Sequence, residues 1–185
     1  MAKQINYTIR FYSEWHCGSG LGAGADVDAL VVKDRQHLPF VPGKTIKGLL
    51  REGVTELSLL SAERINELFG HLDAKTHEMT EGCLYFTNAS MSESESEAII
   101  NRGLREFLFH KKVSTAIDDE GVALDNTLRS IETVVPCDLF AAILDVPEED
   151  VTALEDAMRY VKRIGMNRNR GLGRCDFMDF KIEEK

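Results

Sequence analysis

The chain is organised around residues 15–51, WHCGSGLGAGADVDALVVKDRQHLPFVPGKTIKGLLR. Glycine occupies every second position from Gly18 to Gly24, and the carboxylates Asp26 and Asp28 follow. A Pro-Gly pair at 42–43 then opens an apolar-periodic helix with basic residues at its start. Glycines let backbone N–H groups approach a ligand, and the N-terminus of a helix attracts anions. We therefore predict that this stretch is the functional centre.

The composition is that of a globular protein with a large core. The chain has 185 residues, of which 43% are hydrophobic and 29% charged, so residues 1–185 are expected to form one domain. The net charge of −9 argues against a protein that coats nucleic acid non-specifically. It leaves room for local basic sites, and residues 165–174 (GMNRNRGLGR) carry three arginines and no acid.

The start of the chain and its cysteines indicate a location inside the cell. Residues 1–15 alternate apolar and polar side chains instead of forming the apolar run of a signal peptide. No stretch approaches the ~20 apolar residues of a membrane span. The four cysteines have no CxxC spacing and are expected to be reduced and buried. A cytoplasmic protein without membrane contact is expected.

Periodicity predicts the order of the secondary structure. Apolar residues at period two predict a strand from Ile5 to Phe11, and helical spacing predicts a helix after Gly43 with Thr45 as its N-cap. Later predictions are a helix from Ser61 to Gly70, a strand at 82–88, a polar connection after 88 in which residues 96–109 can hold a helical turn, a hairpin within 111–133, a strand at 134–146, a helix from 147 to 165 and a strand at 174–182. Trp15 and Phe11 are expected in the core.

This order predicts an α+β fold. Strand, helix, strand, strand, helix, strand is the ferredoxin-like or RRM-like βαββαβ plan. The hairpin, at about residues 111–129, is predicted to be an insertion that projects from the domain. RRM-type sheets commonly bind single-stranded RNA, although a fold alone does not define a function.

Five motifs, taken together, resemble the RAMP superfamily of CRISPR-associated proteins, and in particular the repeated backbone subunit of type III RNA-targeting effector complexes. WHCGSG resembles the family's His-x-Gly turn, and LPFVPGKTIKGLLR resembles its Ile-Pro-Gly-Ser-Ser-Leu-Lys-Gly-x-x-Arg element. The other three are LFG with the following GCLYFTNAS, VSTAIDDEGVALDNTLRSIETV, and GMNRNRGLGRCDF.

The resemblance implies a subunit that assembles along a guide (CRISPR) RNA with copies of itself and with other effector subunits. Complementary target RNA pairs with the guide, and the hairpin acts as a thumb that pushes through the duplex and displaces one nucleotide. A divalent cation, Mg²⁺ or Mn²⁺, assists attack of a neighbouring 2′-OH on the phosphate. The expected products carry a 2′,3′-cyclic phosphate and a 5′-OH.

Cleavage in this family places an aspartate first in an Asp-x-x-x-x-basic-Asp pattern. The pattern falls on Asp28, with Lys33 and Asp34 at its end, so the resemblance makes Asp28 the catalytic and metal-binding residue. Ala29 and Leu30 replace the Asn-Pro that often follows the aspartate. Asp26 is the second catalytic candidate.

Two clusters of positive charge are candidates for holding the guide. The first is the start of the helix after Gly43, and the second is the glycine- and arginine-rich loop near the C-terminus. The full set of predicted RNA-binding residues is His16, Gly18, Lys44, Thr45, Lys47, Arg51, Arg168, Arg170 and Arg174.

Other interpretations of the same residues stay open. Asp26 and Asp28 could instead be ordinary solvated carboxylates of a turn. The protein would then be a non-catalytic, structural RNA-binding subunit of the same complex. His16 could be the general base of a guide-processing endoribonuclease, or a packed or RNA-stacking residue. His71, His77 and Cys83 match no standard zinc spacing and lack a fourth ligand.

Overall fold

The computed structural model describes residues 2–24, 27–72 and 77–184. The strands are β1 (Ala2–Phe11), β2 (His71–Leu72), β3 (Met79–Thr80), β4 (Tyr85–Phe86), β5 (Phe109–Ser114), β6 (Arg129–Val134), β7 (Asp138–Pro147) and β8 (Cys175–Glu184). The helices are α1 (Gly43–Glu56), α2 (Ala62–Phe69), α3 (Glu93–Asn101) and α4 (Val151–Tyr160). Short 3₁₀ turns occupy Arg105–Leu108, Glu148–Asp150 and Arg168–Arg170.

A four-stranded antiparallel sheet forms the centre of the fold. Its order is β4-β7-β1-β8, and all three neighbouring pairs are antiparallel. With α1 after β1 and α4 after β7, this order agrees with a βαββαβ arrangement. The α+β class expected from the sequence is confirmed.

The core lies between one face of the sheet and the helices α1 and α4. The alternating residues Ile5, Tyr7, Ile9 and Phe11 of β1 are at most 3% exposed, because successive strand side chains point to opposite faces. Helices α1 and α4 approach closely at Gly53, where an added Cβ would lie 3.4 Å from the Cβ of Ala157. Trp15 is fully buried, and its ring stacks on Phe11 at 4.7 Å.

The hairpin formed by β5 and β6 is separate from the central sheet. Its strands pair from Phe109 with Val134 to Ser114 with Arg129, which confirms the predicted thumb-like hairpin. At the turn, Asp118 Oδ1 accepts hydrogen bonds from the N–H groups of Glu120 and Val122. Residues 115–126 and 128 are exposed, so the outer half of the hairpin projects into solvent.

Two local predictions about helices were wrong, and a third gave too short a helix. The N-cap of α1 is Pro42 and not Thr45; the Gly43 N–H is bound by the side chain of Asn88 at 2.9 Å. The helical turn allowed within 96–109 is part of α3, which begins earlier, at Glu93, and is capped by Ser92. Helix α4 ends at Tyr160 instead of continuing to Gly165.

Other boundaries also differ from the sequence prediction. The strand expected at 82–88 is only β4, Tyr85–Phe86. Val161 and Ile164 lie beyond α4, and both are buried. The Ile164 N–H donates to Gly173 O, so these two side chains enter the core from a loop. Helix α2 follows the prediction, with Ser61 accepting the Arg64 N–H and Gly70 in a left-handed conformation after the last turn.

Gly43 allows α1 to begin directly against the edge strand. A Cβ at this position would lie 2.3 Å from Phe86 O. We expect Gly43→Ala to lower the free energy of unfolding by about 1–3 kcal/mol, the usual range for overpacking. The measurement is a urea unfolding curve.

Gly48→Ala on the same helix is the control, because nothing lies within 4 Å of the added Cβ. This variant should stabilise the protein by up to ~1 kcal/mol. Equal midpoints for the two variants would contradict this account.

Candidate RNA interface

A surface groove brings together residues from three distant parts of the sequence. The groove has a volume of about 450 Å³. Its walls include His16, Gly18, Lys44, Thr45 and Arg168. These residues come from the glycine-rich turn, the start of α1 and the C-terminal arginine loop. The fold therefore joins the three motifs into one surface.

Two further cavities extend this surface along the hairpin. The first, of about 500 Å³, shares Gly165 and Arg168 with the groove. The second, of about 580 Å³, shares Arg129 and Arg170 with the first. We call the three together the basic groove. Among the described residues that line it, Glu52 is the one acid. The groove of this overall acidic protein is therefore lined mostly by positively charged side chains where it is charged.

The start of α1 contributes a positive helix end to the groove. Lys44 is exposed at the second helical residue, and the first turn contains no acidic side chain. The partial positive charge of a helix N-terminus therefore adds to the charge of Lys44. Lys47 is half-buried and does not line the groove.

His16 is held in one orientation by a backbone carbonyl. The side chain is 0% exposed, and Nδ1 lies 2.6 Å from Glu132 O. Because a carbonyl oxygen only accepts hydrogen bonds, Nδ1 carries the proton and donates. The other nitrogen, Nε2, is buried without a partner among the described residues, and the residue as a whole lines the groove.

The arginine loop is shaped by left-handed backbone conformations. Asn167 and Gly171 flank the 3₁₀ turn with φ of 57° and 87°. Gly165 approaches the backbone so closely that a Cβ would meet His16 O, and the Met166 N–H donates to that same oxygen at 2.9 Å. The loop is thereby fastened beside His16, with Arg168 and Arg170 exposed.

Two predicted RNA-binding arginines lie elsewhere. Arg51 donates to Gly70 O and to Asn66 Oδ1, both at 3.0 Å, and so connects α1 with the end of α2. The guanidinium of Arg174 lies over the Tyr12 ring at 5.8 Å and does not line the basic groove. An RNA contact of either residue stays a prediction.

Asp28 lies beside the base of the hairpin. Its backbone N–H donates to Ser130 O at 2.8 Å, and the Ser130 N–H donates to Asp28 Oδ2 at 2.7 Å. The residue is exposed, and its hydrogen-bond partner Ser130 directly follows Arg129, a residue of the groove. Asp26 lies outside the described residues.

A single exposed carboxylate is compatible with a hydrated Mg²⁺ or Mn²⁺, because such an ion keeps most of its waters and prefers oxygen ligands. Within 2–24, 27–72 and 77–184, no cluster of three or more His, Cys, Asp or Glu side chains is arranged to hold a metal ion. Asp34 Oδ1 accepts the N–H groups of Gln36 and Leu38 and so closes a local turn.

Three of the four cysteines are poor nucleophiles at neutral pH. Burial raises the pKa of Cys17, Cys137 and Cys175 to about 12, so these thiols stay protonated at neutral pH and are poor nucleophiles. Cys83 is exposed, which corrects the expectation that all four are buried. All four are free thiols.

Sequence reasoning missed two residues that build the groove. Arg129 lines two of its cavities, but one arginine at a strand start carries no local signal. Glu132 holds three elements of the site: its carbonyl accepts from His16, and its carboxylate accepts from Val31 N–H at 3.0 Å and from Lys33 Nζ at 2.8 Å.

The fold and the groove together define an α+β protein with a cationic surface suited to a polyanion. A model of the RAMP superfamily matches residues 8–176. The chain belongs to the RAMP superfamily, as the sequence motifs indicated. No curated protein matches the chain in sequence.

Two solved structures have a similar fold. A chain in the cryo-EM structure of the type III-B Cmr-beta complex bound to cognate target RNA superposes with a TM-score of 0.71 and 12% identity, over 94% of this chain and 96% of that chain. A chain in the apo state of Cmr-beta gives a TM-score of 0.69 and 12% identity, over 95% and 96% respectively. The described part of this chain has no helix long and apolar enough to cross a membrane.

Glu14 fastens the hairpin to the rest of the site, and its ionisation is predicted to matter. Burial opposes ionisation, but hydrogen bonds from Lys112 and His110 outweigh it and lower the pKa of Glu14 below its ordinary 4.5. The stabilisation from this carboxylate is therefore complete above pH 4.5 and is lost as the pH falls through the lowered value.

Hydrogen exchange of the β5–β6 amides tests this prediction. Protection should fall on acidification, and Glu14→Gln should show weaker protection at neutral pH with a flatter pH profile. Glu120→Gln, at the exposed turn of the same hairpin, is the control and should follow the wild type. A wild-type profile in Glu14→Gln would contradict the role of the carboxylate.

Proposed function

We propose that this protein is a guide-RNA-binding backbone subunit of a type III CRISPR effector complex. The observation that carries the proposal is the basic groove, in which His16, Lys44 and Arg168 come from separate family motifs and meet on one surface. Membership of the RAMP superfamily and the similar fold of chains in the two Cmr-beta structures support it.

The groove is suited to the sugar–phosphate backbone of single-stranded RNA. Lys44 and Arg168 supply charge for phosphate contacts, and Arg129 and Arg170 continue the path to the base of the hairpin. Contacts of this kind hold a strand without selecting its sequence. A subunit that binds guides of different sequence needs contacts of this kind. Copies of the chain would then repeat along the guide. We expect this assembly to form in the cytoplasm.

The exposed hairpin gives the proposal a second structural element. Its outer half carries exposed apolar side chains at Ile117, Val122, Leu124 and Leu128. Apolar side chains can enter between stacked bases. A hairpin with this tip, rooted beside Asp28, is suited to separate one nucleotide from a guide–target duplex.

Cleavage of the target RNA is the second part of the proposal. Asp28 would act at the phosphate next to the displaced nucleotide: the neighbouring 2′-OH attacks phosphorus, the P–O5′ bond breaks, and a 2′,3′-cyclic phosphate and a 5′-OH result. Asp28 would hold a Mg²⁺ or Mn²⁺ ion, which would neutralise the developing charge. The chain's own part is to hold the carboxylate through Ser130 and the strand through the basic groove.

The guide-processing alternative depends on His16 as a general base. His16 is 0% exposed, and one ring nitrogen is engaged by Glu132 O. Nε2 is therefore the ring nitrogen left for a base role, and metal-independent cutting of repeat RNA by the isolated protein that His16→Ala abolishes would support this alternative. The non-catalytic alternative keeps every groove contact, and the exposed hydrogen-bonded carboxylate of Asp28 is compatible with it.

RNA binding is tested with the groove variants Lys44→Ala, Arg129→Ala and Arg168→Ala. Each should weaken binding of labelled single-stranded RNA at low salt, measured by fluorescence anisotropy. Each should also reduce the slope of log K against log salt by about 0.7 for every lost phosphate contact. Arg159→Ala changes the net charge equally but removes an arginine engaged by Glu155 on α4; it should bind RNA as the wild type does. Equal weakening by all four variants would show that only net charge matters.

Cleavage is tested with the complex assembled on a known guide. Asp28→Asn keeps an oxygen that can accept the Ser130 N–H, but it removes the negative charge. It should bind complementary RNA normally and abolish the regularly spaced cuts made with Mg²⁺. Asp119→Asn on the exposed hairpin turn is the control and should cut normally. Cuts that persist in Asp28→Asn and Asp28→Ala would overturn the catalytic assignment, and binding without cuts in any protein would leave a structural subunit.

A further inference from the structure

We infer that His16 Nε2 recognises the ribose 2′-hydroxyl and makes the basic groove selective for RNA over DNA. The inference rests on the proposed RNA-binding function and adds a specific atom and its ligand. Three observations carry it: the fixed proton position on the imidazole, the unpartnered nitrogen, and the missing side chain at Gly18.

The proton position is set by Glu132. Nδ1 donates to Glu132 O at 2.6 Å, so in the neutral ring Nε2 is a hydrogen-bond acceptor. A buried polar atom without a partner costs free energy. Nε2 is such an atom, since none of the described residues binds it. A donor that enters the groove would supply the missing bond.

Gly18 leaves the space next to this buried nitrogen free of a side chain. A Cβ at position 18 would lie 3.2 Å from His16 Nε2 and 3.9 Å from Cδ2. Any other residue at this position would place a carbon directly against the acceptor. His16 and Gly18 both line the groove that also contains Lys44 and Arg168, so a ligand held by these cations passes the histidine.

The chemistry of the nucleic-acid backbone identifies the ligand. Phosphate and ring oxygens only accept hydrogen bonds, and the 2′-OH is the one donor that the sugar–phosphate backbone of RNA offers. An acceptor between cations gains nothing from a phosphate oxygen, but it matches a ribose hydroxyl. DNA lacks this group, so the contact selects the type of sugar without selecting the base.

The experiment compares three labelled strands of the same base sequence: RNA, DNA, and a 2′-fluoro strand, whose fluorine cannot donate a hydrogen bond. With the wild-type protein at low salt, RNA should bind about fivefold more tightly than the 2′-fluoro strand, the ratio expected for one neutral hydrogen bond. The ratio should fall to about one in His16→Ala and in Gly18→Ala. Gly18→Ala leaves His16 in place, and so it decides the question if His16→Ala does not fold.

Gly48→Ala and Lys44→Ala are the matched controls. Gly48 lines the same groove, but nothing lies within 4 Å of an added Cβ, so the RNA preference should be unchanged. Lys44→Ala should weaken all three strands equally. The inference would be overturned if His16→Ala and Gly18→Ala kept the wild-type preference for RNA. It would also be overturned if these variants weakened the binding of all three strands equally. In both cases the proposed RNA binding itself would be unaffected. Failure of the wild type to bind any strand would overturn the proposed function itself.

Discussion

The site depends on the way Glu132 joins the glycine-rich segment to the hairpin. Its carbonyl fixes His16, its carboxylate binds Val31 and Lys33, and its backbone N–H donates to Ala29 O. The Lys33 ammonium in turn lies 3.9 Å from the centre of the Phe109 ring, on β5. The Glu132 side chain is only 15% exposed, so removing one member of this ion pair would leave the other poorly solvated. One residue therefore aligns both sides of the segment that carries His16 and Asp28.

The charge distribution has a clear functional logic. A net charge of −9 repels nucleic acid at long range, whereas the basic groove gathers positive charge at one place. The acids near the groove are mostly neutralised within the protein: Glu14 binds Lys112, and Glu132 binds Lys33. The groove cations Lys44, Arg168 and Arg170 have no salt bridge to any described acid. Positive charge is thus available for an external anion.

Local patterns predicted those parts of the fold that depend on local interactions. The sequence predicted the alternation in β1, the N-cap at Ser61 and the end of α2 at Gly70. Each of these features involves residues within a few positions of one another. The start of α1 was misassigned because its first N–H is bound by Asn88, from a distant segment. The end of α4 was misassigned because Val161 and Ile164 continue the helical spacing but are buried by the packing of a loop.

The candidate site was predictable in its parts but not in its geometry. The motifs supplied His16, Lys44 and Arg168, but no spacing rule reveals that they share a wall. The roles of Arg129 and Glu132 come from strand register, which a single sequence does not give. Arg51 shows the opposite case: its motif position suggests a ligand contact, whereas its guanidinium lies between Gly70 O and Asn66.

The assembly of the groove from distant segments has a consequence for when the protein can bind its ligand. During synthesis the glycine-rich turn and α1 leave the ribosome early, but the wall that carries Arg168 is made only after most of the chain. That wall is then fastened by Gly165 and Met166 against the His16 backbone. A nascent chain that lacks this loop therefore has no complete groove, and a ligand of the complete groove can bind only after the loop has been made and folded. A strand that binds only the completed groove also stabilises the folded state by mass action.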